Sequence, residues 1–410
     1  MKFLIALAWK NLSRYKRRTA ITVAALAVGI CFYIWIDGWL YGAELESERN
    51  LIWYETAAAK IMNEEYWEDI ETFPLKHVVA DPAALEAGLE AAGIAHTRRT
   101  VFAGELFFAG GAKPVKMVAL NPATDGSVYR LDRSVSAGSF LDGTGSGVLL
   151  GEWLARDLGI EVGDPVVVRT RTRYGAFQTL DLEVAGIINS PNPVLNKGTG
   201  FVSLESIEES MEMEGSVSEL ALYFPDWQQP EDRLARIEPL LAGYPELKLL
   251  SWRDLAEDYL MFAKMKQSGS GIYLLLVFII AAVGITNTML MAVYERVREI
   301  GMMRALGMKR SHIRLAFMLE AGGIGFLGSV LGLVLGGIIT FLMVRYGIDF
   351  SKMIGEMDIG YRISGIFYSA WHPAAFVGGF ICGILASMVI SLIPASRALK
   401  KGITDCLRYE

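Results

Sequence analysis

Few residues in this 410-residue sequence are spaced for catalysis. The four histidines, His77, His96, His312 and His372, are scattered and follow no metal-ligand spacing such as H-E-x-x-H. The sequence contains no G-x-x-x-x-G-K-[ST] phosphate-binding loop and no G-x-S-x-G nucleophile elbow. We therefore expect no catalytic residue, no metal and no cofactor, and no ATP site of the phosphate-loop kind.

The most informative segment is 295–314, whose apolar residues recur at helical spacing. Val297, Ile300, Met303 and Leu306 are three residues apart, charged side chains occupy other faces, and Gly307 is placed to end the helix. One interpretation is an amphipathic helix that lies on lipid headgroups. The other is a helix that docks in a groove of a cytoplasmic protein, which the short length and the mixed charges favour.

Four long apolar segments predict transmembrane helices. Residues 19–36, 267–294 and 374–396 contain no charged side chain, and residues 315–344 contain only Glu320. About 20 apolar residues are needed to cross the roughly 30 Å hydrocarbon core of a bilayer. We therefore predict membrane spans at 19–42, 268–294, 315–344 and 374–396.

The distribution of lysine and arginine predicts the topology. Residues 1–18, 295–314 and 397–410 carry six, six and four basic side chains against zero, two and two acidic ones. Residues 43–267 carry 20 basic and 36 acidic side chains, a net charge of −16. Short basic segments stay in the cytoplasm. We predict a multi-pass protein of the bacterial inner membrane with an amphipathic N-terminus, an uncleaved first span, both termini cytoplasmic and 43–267 periplasmic; residues 345–373 would form a short periplasmic loop.

The segment 43–267 alternates helix and strand patterns. A helix predicted from Asp81 to Gly93, and another at 231–242, are each followed by a strand pattern. This predicts an α/β porter-like subdomain built from both ends of the segment, with a β-rich insert at roughly 120–220. The fold class is therefore an α-helical membrane protein with four transmembrane helices and a large α+β extracytoplasmic domain.

Two β-hairpins and two helical extensions are predicted within that domain. The first and second spans should continue outward as helices, through residues 43–60 and from Trp252 onward. The hairpins pair residues 100–108 with 115–120, and 166–173 with 177–188.

Five residues inside the apolar segments are candidates for helix contacts or function. Glu320 either reaches the membrane interface or bonds to neighbouring backbone, or it makes an interhelical contact that sets the resting state. The glycines give the third span a flat face for close helix packing: Gly325, Gly328, Gly332 and Gly336. No span carries a row of ionisable residues that would line an ion path.

Several segments together resemble the FtsX-like permeases, the membrane subunits of a four-span class of ABC transporter. The inner segment REIGMMRALGMKRSHI (298–313) resembles the coupling-helix signature of that family. AWKNLSRYKRRTAITVAALAVGI (8–30) and IPASRALKKGITDCLRY (393–409) are similar to its start and its end. GVLLGEWLARDLGIEVGDPV (147–166), LEVAGI (182–187) and GSVSELALYFPD (215–226) follow the pattern of its external domain.

The resemblance implies a membrane subunit without an ATPase of its own. Its partners would be two copies of a cytoplasmic ABC ATPase and a second, identical or homologous, permease chain, with no nucleic acid. ATP-driven closure would press on the coupling helix and move the outer domains. The implied ATPase-coupling residues are Val297, Ile300, Gly301, Met303, Arg304, Leu306 and Gly307.

Within the family, the sequence most resembles the lipoprotein-releasing permeases of the LolC/LolE type. Proteins of the MacB type carry a fused ATPase, which this sequence does not show. The hairpin around 174–176 is short and has only Pro165 at its base, which resembles LolE, the partner without the hook that recruits a carrier. The implied substrate is a lipoprotein or another amphiphile. A MacB-like efflux permease with a periplasmic adaptor and a regulatory permease that controls a periplasmic enzyme remain alternatives, and binding of a periplasmic carrier stays open.

Overall fold

The computed structural model describes residues 16–143, 145–350, 362–363, 365–400, 402 and 406. Most of the predicted amphipathic N-terminus 1–18, residues 351–361 and 364 of the predicted loop 345–373, and most of the tail 397–410 lie outside these residues. The chain divides into two compact units. The helical unit comprises the described residues of Met1–Ala43, Phe262–Asp349 and Phe367–Glu410; the sheet unit comprises those of Glu44–Met261 and Phe350–Ile366.

Four helices among the described residues exceed 25 residues: Lys16–Leu51, Glu257–Glu295, Arg310–Tyr346 and Pro373–Leu399, hereafter the first to fourth long helices. Three segments are long and apolar enough to cross a membrane: Thr19–Thr56, Arg310–Tyr346 and Pro373–Arg397. The predicted span 268–294 lies inside the second long helix. Its helical state agrees with the prediction, and its crossing of a membrane stays a prediction.

Glycines on the third long helix allow close packing within the helical unit. A Cβ atom added to Gly332 would lie 2.8 Å from Ile30 Cβ, and one added to Gly328 would lie 2.8 Å from Leu26 Cδ2. Since real Cβ atoms essentially never approach so closely, a larger residue at either position would force the neighbouring atoms of the first long helix to shift. The other two predicted glycines also make close contacts, Gly336 with Ile34 and Gly325 with Ser387.

Polar side chains also link the helices of this unit. Asp37 Oδ2 lies 2.5 Å from His372 Nδ1, and the ring of Tyr41 stacks on that imidazole at 4.4 Å. The hydroxyls of Thr22 and Thr288 are hydrogen-bonded at 2.7 Å. These contacts connect the first long helix with the second and with the residues that precede the fourth.

The sheet unit contains a mixed sheet of ten strands among the described residues. Its order is β10-β1-β9-β2-β3-β8-β5-β7-β4, and β6 pairs with both β2 and β7. The strands are β1 Ala59–Asn63, β2 Ala95–Phe108, β3 Gly111–Leu120, β4 Val135–Gly138, β5 Gly147–Gly151, β6 Pro165–Arg171, β7 Phe177–Ile188, β8 Thr199–Ser203, β9 Glu219–Tyr223 and β10 Leu247–Ser251. Two further two-residue strands are Ile348–Asp349 and Ile366–Phe367.

Short helices cover this sheet and begin where the sequence offers caps. The carboxamide of Asn192 accepts from Val194 N–H, and that of Asn121 accepts from Ala123 N–H, each before a proline in the first turn. The helices are Glu64–Glu68, Pro82–Ala91, Pro122–Asp125, Glu152–Leu158, Pro193–Gly198, Leu204–Ile207, Glu231–Ile237 and Trp252–Leu255, with 3-10 turns at Leu131–Ser134 and Glu238–Leu241.

Both predicted hairpins are confirmed. β2 pairs antiparallel with β3 around the turn at Ala109–Gly110, and β6 pairs antiparallel with β7 around a short loop in which Thr172 N–H donates to the Ala176 carbonyl. The predicted helices at 81–93 and 231–242 are present as Pro82–Ala91 and as Glu231–Ile237 followed by a 3-10 turn.

The predicted helix through residues 43–60 is wrong at its end. The first long helix stops at Leu51, a π-helical turn covers Ile52–Thr56, and Ala57 adopts a φ of 56°. Residues from Ala59 onward form β1, a central strand that pairs with both β9 and β10. Backbone hydrogen bonds on both sides of this strand override the helical propensity of Ala59, its one alanine.

The predicted insert does not form a separate sheet. β3 pairs in parallel with β8, so that the strands of residues 120–220 continue the sheet that both ends of the segment begin. Several apolar clusters pack on this sheet. One contains Leu85, Leu89 and Ile237 from the helices at the ends of the segment, and another contains Leu154, Val168 and Leu182 from the insert. A third contains strand residues that include Val118, Leu149 and Phe201. The domain therefore has several apolar clusters on one continuous sheet.

Candidate functional site

The segment 295–314 contains a short helix, Val297–Ala305, which we call the loop helix. It ends as the sequence predicts, because Gly307 has a φ of 89° and donates its N–H to the carbonyl of Arg304 at 3.1 Å. Met308 N–H donates to the carbonyl of Met303 at 3.0 Å, which completes a Schellman motif. The third long helix then begins at Arg310, earlier than the predicted 315.

The apolar stripe of the loop helix faces the helical unit itself. Val297 is 2% exposed and Ile300 is 0% exposed, and Gly301 is buried. Ile300 belongs to one buried cluster with residues of the second, third and fourth long helices: Ile285, Met289, Val293, Ile313, Phe317, Ala395 and Leu399. The chain's own helices therefore cover Val297 and Ile300, and contact of these two residues with an ATPase stays a prediction.

The remaining predicted coupling residues divide between the two sides of the loop helix. Met303 is half-buried and packs against the same apolar cluster, and Arg304 is half-buried. Leu306 is 89% exposed and Gly307 is exposed. Of the four stripe residues, only Leu306 is therefore available to a separate protein.

The exposed face of the loop helix consists of different residues. Arg298, Met302 and Ala305 are exposed and lie four and three residues apart, so that they share one helical face with Leu306 beside them. Met302 is 48% exposed, and the sequence interpretation missed it. Its only signal was that it is an apolar residue outside the predicted stripe of the helix. We call Arg298, Met302, Ala305 and Leu306 the outward face.

Glu320 forms a buried ion pair with a residue that adjoins the loop helix. Arg296 Nη1 lies 3.1 Å from Glu320 Oε2, and the two side chains are 5% and 8% exposed. Arg296 occupies the N-cap position of the loop helix, and Glu320 lies on the third long helix. The geometry agrees with the interhelical contact and not with a carboxylate at the membrane interface. Sequence analysis did not identify Arg296 as the partner.

A second set of buried charges lies in the sheet unit. Arg99 donates to both carboxylate oxygens of Asp125, at 2.8 and 2.9 Å, and Lys60 Nζ lies 2.8 Å from Glu219 Oε1. Burial raises the pKa of Tyr129, whose ring lies against the Arg99 guanidinium, well above its ordinary value. The four charges compensate each other and connect β1, β2 and β9. Within the described residues, no group of three or more His, Cys, Asp or Glu side chains could hold a metal ion.

The loop helix, the third and fourth long helices and most of the second lie in a region that matches a known family. Residues 271–403 match the family described as FtsX-like permease C-terminal. These residues form an FtsX-like permease domain.

The permease domain also has curated relatives. The chain is 26% identical over 314 residues to the lipoprotein-releasing system transmembrane protein LolC of Xylella fastidiosa, covering 73% of this chain and 74% of that protein. It is 36% identical over 137 residues to the ABC transporter permease YtrF of Bacillus subtilis, covering 32% of this chain and 30% of that protein. The chain is therefore a membrane permease of the ABC-transporter type.

The chain also has a distant structural neighbour. The periplasmic region of MacB from Actinobacillus actinomycetemcomitans aligns with 10% sequence identity and a TM-score of 0.37, covering 50% of this chain and 92% of that structure. The relatives are ABC transporter permeases, and such permeases work with an ATPase. The resemblance to lipoprotein-releasing permeases agrees with the LolC relatives, and the assignment to the LolE type stays a prediction.

Proposed function

We propose that this chain is the membrane subunit of an ABC transporter that transmits the motion of a separate cytoplasmic ATPase to a periplasmic sheet unit. The ATPase docks on the outward face of the loop helix, Arg298, Met302, Ala305 and Leu306. Two ATPases act on two permease chains in the inner membrane, with four spans per chain and both termini in the cytoplasm.

The observation that carries this proposal is that the loop helix is fixed to the long helices on one side and exposed on the other. Ile300 is fully buried in the cluster shared with three long helices, and Arg296 is paired with Glu320 of the third. On the other side, Met302 and Leu306 are exposed apolar side chains without a covering element among the described residues. A helix fixed in this way moves together with the long helices when a partner presses on its outward face.

The long helices are long enough to carry that motion beyond a membrane. The first and second long helices contain 36 and 39 residues. At about 1.5 Å per residue they extend roughly 54 and 58 Å, well beyond the roughly 30 Å hydrocarbon core. Both contribute residues to the sheet unit, up to Leu51 of the first and from Glu257 of the second.

Within the sheet unit, Arg362 contacts residues at the ends of the first and second long helices. Its backbone N–H donates to Ser47 Oγ at 2.8 Å, and its carbonyl accepts from Asn50 Nδ2 at 2.6 Å. Its guanidinium lies 3.2 Å from Glu55 Oε2 and 4.9 Å from the ring centroid of Tyr259. Arg362, which comes between the third and fourth long helices in the sequence, is thereby joined to residues at the ends of the first and second, so that it moves with them.

Release of lipoproteins from the inner membrane is the transport function that we propose. The LolC relatives support it, and their alignments with this chain cover about three quarters of each relative. Co-purification from detergent extracts tests this part. A second permease and a lone ATPase would support lipoprotein release. A periplasmic adaptor would indicate efflux, and a wall hydrolase would indicate a regulatory permease.

Docking is tested by placing a charge on the outward face. Each of the variants Leu306→Glu and Met302→Glu would place an unpaired carboxylate in the interface. Burial of that charge costs about 3 kcal/mol or more of association free energy. We expect each variant to lose the ATPase from affinity-purified permease by about a hundredfold, since about 1.4 kcal/mol corresponds to a factor of ten. The measured quantity is the ratio of ATPase to tagged permease after purification. The yield of detergent extraction checks that each variant is still inserted in the membrane.

Ser311→Glu is the matched control. It adds the same charge at an exposed position five residues from Leu306, in the first turn of the third long helix, where a carboxylate is favourable. Met303→Glu is unsuitable because Met303 packs against the chain's own apolar cluster, so that loss of the ATPase would be confounded with unfolding. Retention of the ATPase by Leu306→Glu and Met302→Glu at the level of Ser311→Glu would refute docking on this face.

A further inference from the structure

A cavity of about 780 Å³ lies in the sheet unit at a fork between strands. β9 pairs with β2 up to Arg99, and β6 pairs with it only from Gly104 onward, so that residues 100–103 lie between the two partners. The loop 72–76 and the tip of the β6–β7 hairpin also line the cavity. We call this cavity the hairpin groove.

Apolar and aromatic side chains line much of the hairpin groove. Phe102 is 1% exposed and Leu75 is 6% exposed, and both also belong to the core of the insert. Tyr174 and Phe177, by contrast, are 65% and 71% exposed. Phe73 lines the groove with a φ of 49°, a conformation that bulky residues rarely hold. Exposed aromatic side chains beside a cavity of this volume are typical of ligand sites, which usually measure about 300–1,000 Å³.

The charged residues of the groove are mainly basic, although the domain that contains them is acidic. Lys76, Arg169, Arg171 and Arg173 line it, against one lining carboxylate, Glu105. The whole of 43–267 carries 20 basic and 36 acidic side chains. A local excess of positive charge on such a domain attracts anions selectively.

Two of these four cations have carboxylate partners and two do not. Arg169 pairs with Glu105, and Arg173 Nη1 lies 3.4 Å from Glu214 Oε2. Arg171 lies over the ring of Phe177 at 5.0 Å. Across the part of the chain that the structure describes, neither Arg171 nor Lys76 has a carboxylate within ion-pair distance. These two residues are therefore available to an external anion next to an aromatic surface.

We propose that the hairpin groove binds an anionic amphiphile. Arg171 and Lys76 hold the anionic headgroup through charge-assisted hydrogen bonds, and the apolar chain lies against Phe73, Phe102 and Phe177. A single chain with its headgroup suits the volume, and a positive site on a negative domain selects an anionic over a neutral headgroup. The site does not depend on docking of an ATPase at the loop helix.

Photoaffinity labelling of the full-length chain tests this site. The chain is placed in nanodiscs of phosphatidylcholine and exposed to a lysophosphatidylglycerol that carries a diazirine in its acyl chain. A monoacylglycerol with the same chain, which has no phosphate, is the neutral probe, and labelled peptides are identified by mass spectrometry. We expect the anionic probe to label peptides that contain residues 72–76, 102–105 or 169–177, and the neutral probe to label them at least about tenfold less, since one charge-assisted hydrogen bond is worth roughly that factor.

A pair of double variants separates the groove from general charge effects. Lys76→Gln with Arg171→Gln should lower labelling of the groove by the anionic probe about tenfold or more. Arg133→Gln with Arg236→Gln removes the same charge from exposed positions outside the groove and should leave labelling unchanged. Equal labelling by the neutral probe, labelling confined to the long helices, or stronger displacement by an acidic peptide than by unlabelled lysophosphatidylglycerol would each overturn the proposal.

Discussion

Replacing Glu320 by alanine tests whether the buried ion pair stabilises the attachment of the loop helix. The change leaves Arg296, which is 4% exposed, in the protein interior without the carboxylate that lies 3.1 Å from it. Breaking a buried ion pair by removing one partner costs about 3–5 kcal/mol. About 1 kcal/mol shifts the unfolding temperature of a domain of this size by roughly 2–4 °C, so the apparent Tm of the helical unit should fall by roughly 6–20 °C.

Native cysteines provide the assay. Cys31 and Cys406 are 9% and 0% exposed, and both belong to the helical unit. A thiol-reactive fluorogenic dye added to the detergent-solubilised chain therefore reports unfolding of this unit as the temperature rises. Cys382, which is half-buried, supplies the signal before the transition.

A double variant separates the effect of charge from the effect of packing. Arg296→Met with Glu320→Leu removes both charges and keeps side chains of similar volume, a replacement that is often neutral or stabilising for buried pairs. We expect it to recover most of the Tm lost in Glu320→Ala. The reasoning fails if Glu320→Ala lowers the Tm by less than about 2 °C, or if the double variant is as unstable as the single one.

Two further predictions concern packing and topology. Gly332→Ala places a Cβ 2.8 Å from Ile30 Cβ, and this overpacking should cost about 1–3 kcal/mol in the same thiol assay. Gly284→Ala, whose Cβ would meet no atom within 4 Å, should not lower the Tm, and equal losses in both variants would contradict close packing as the cause. We expect single cysteines that replace Ser127 and Ser311, in a background without the native cysteines, to differ in their reaction with an impermeant thiol reagent on spheroplasts. Only position 127 should react, because the basic segment 295–314 is expected to face the cytoplasm, and labelling at position 311 would contradict that topology.

Local sequence signals predicted the elements of the sheet unit better than their partners. The hairpin of β6 and β7 could be predicted because both strands and their turn are contiguous. The parallel pairing of β3 with β8, and the position of β9 between β1 and β2, join residues that are distant in sequence. No local pattern encodes such pairings. For the same reason the first two residues of β1, Ala59 and Lys60, were predicted as helix, since the partner strands β9 and β10 come some 160 residues and more later.

The candidate site shows the same division. The spacing of Val297, Ile300, Met303 and Leu306 correctly predicted a short helix with one apolar face. Amphipathicity alone does not distinguish a face that packs against the same chain from a face that docks on another protein. The helical unit buries Ile300 completely and leaves Met302 and Leu306 exposed. For this reason we propose the outward face, and not the predicted stripe, as the docking surface.

The sequence by itself determined the apolar segments, the charge asymmetry, the absence of a phosphate-binding loop and the end of the loop helix at Gly307. Each depends on composition or on residues a few positions apart, and such signals can be read directly. Only the tertiary structure decided that Arg296 is the partner of Glu320, which face of the loop helix is free, and that Arg171 and Lys76 line one groove. Those arrangements arise from packing between elements far apart in the chain, and the free energy of that packing belongs to the assembled contacts and not to any one segment.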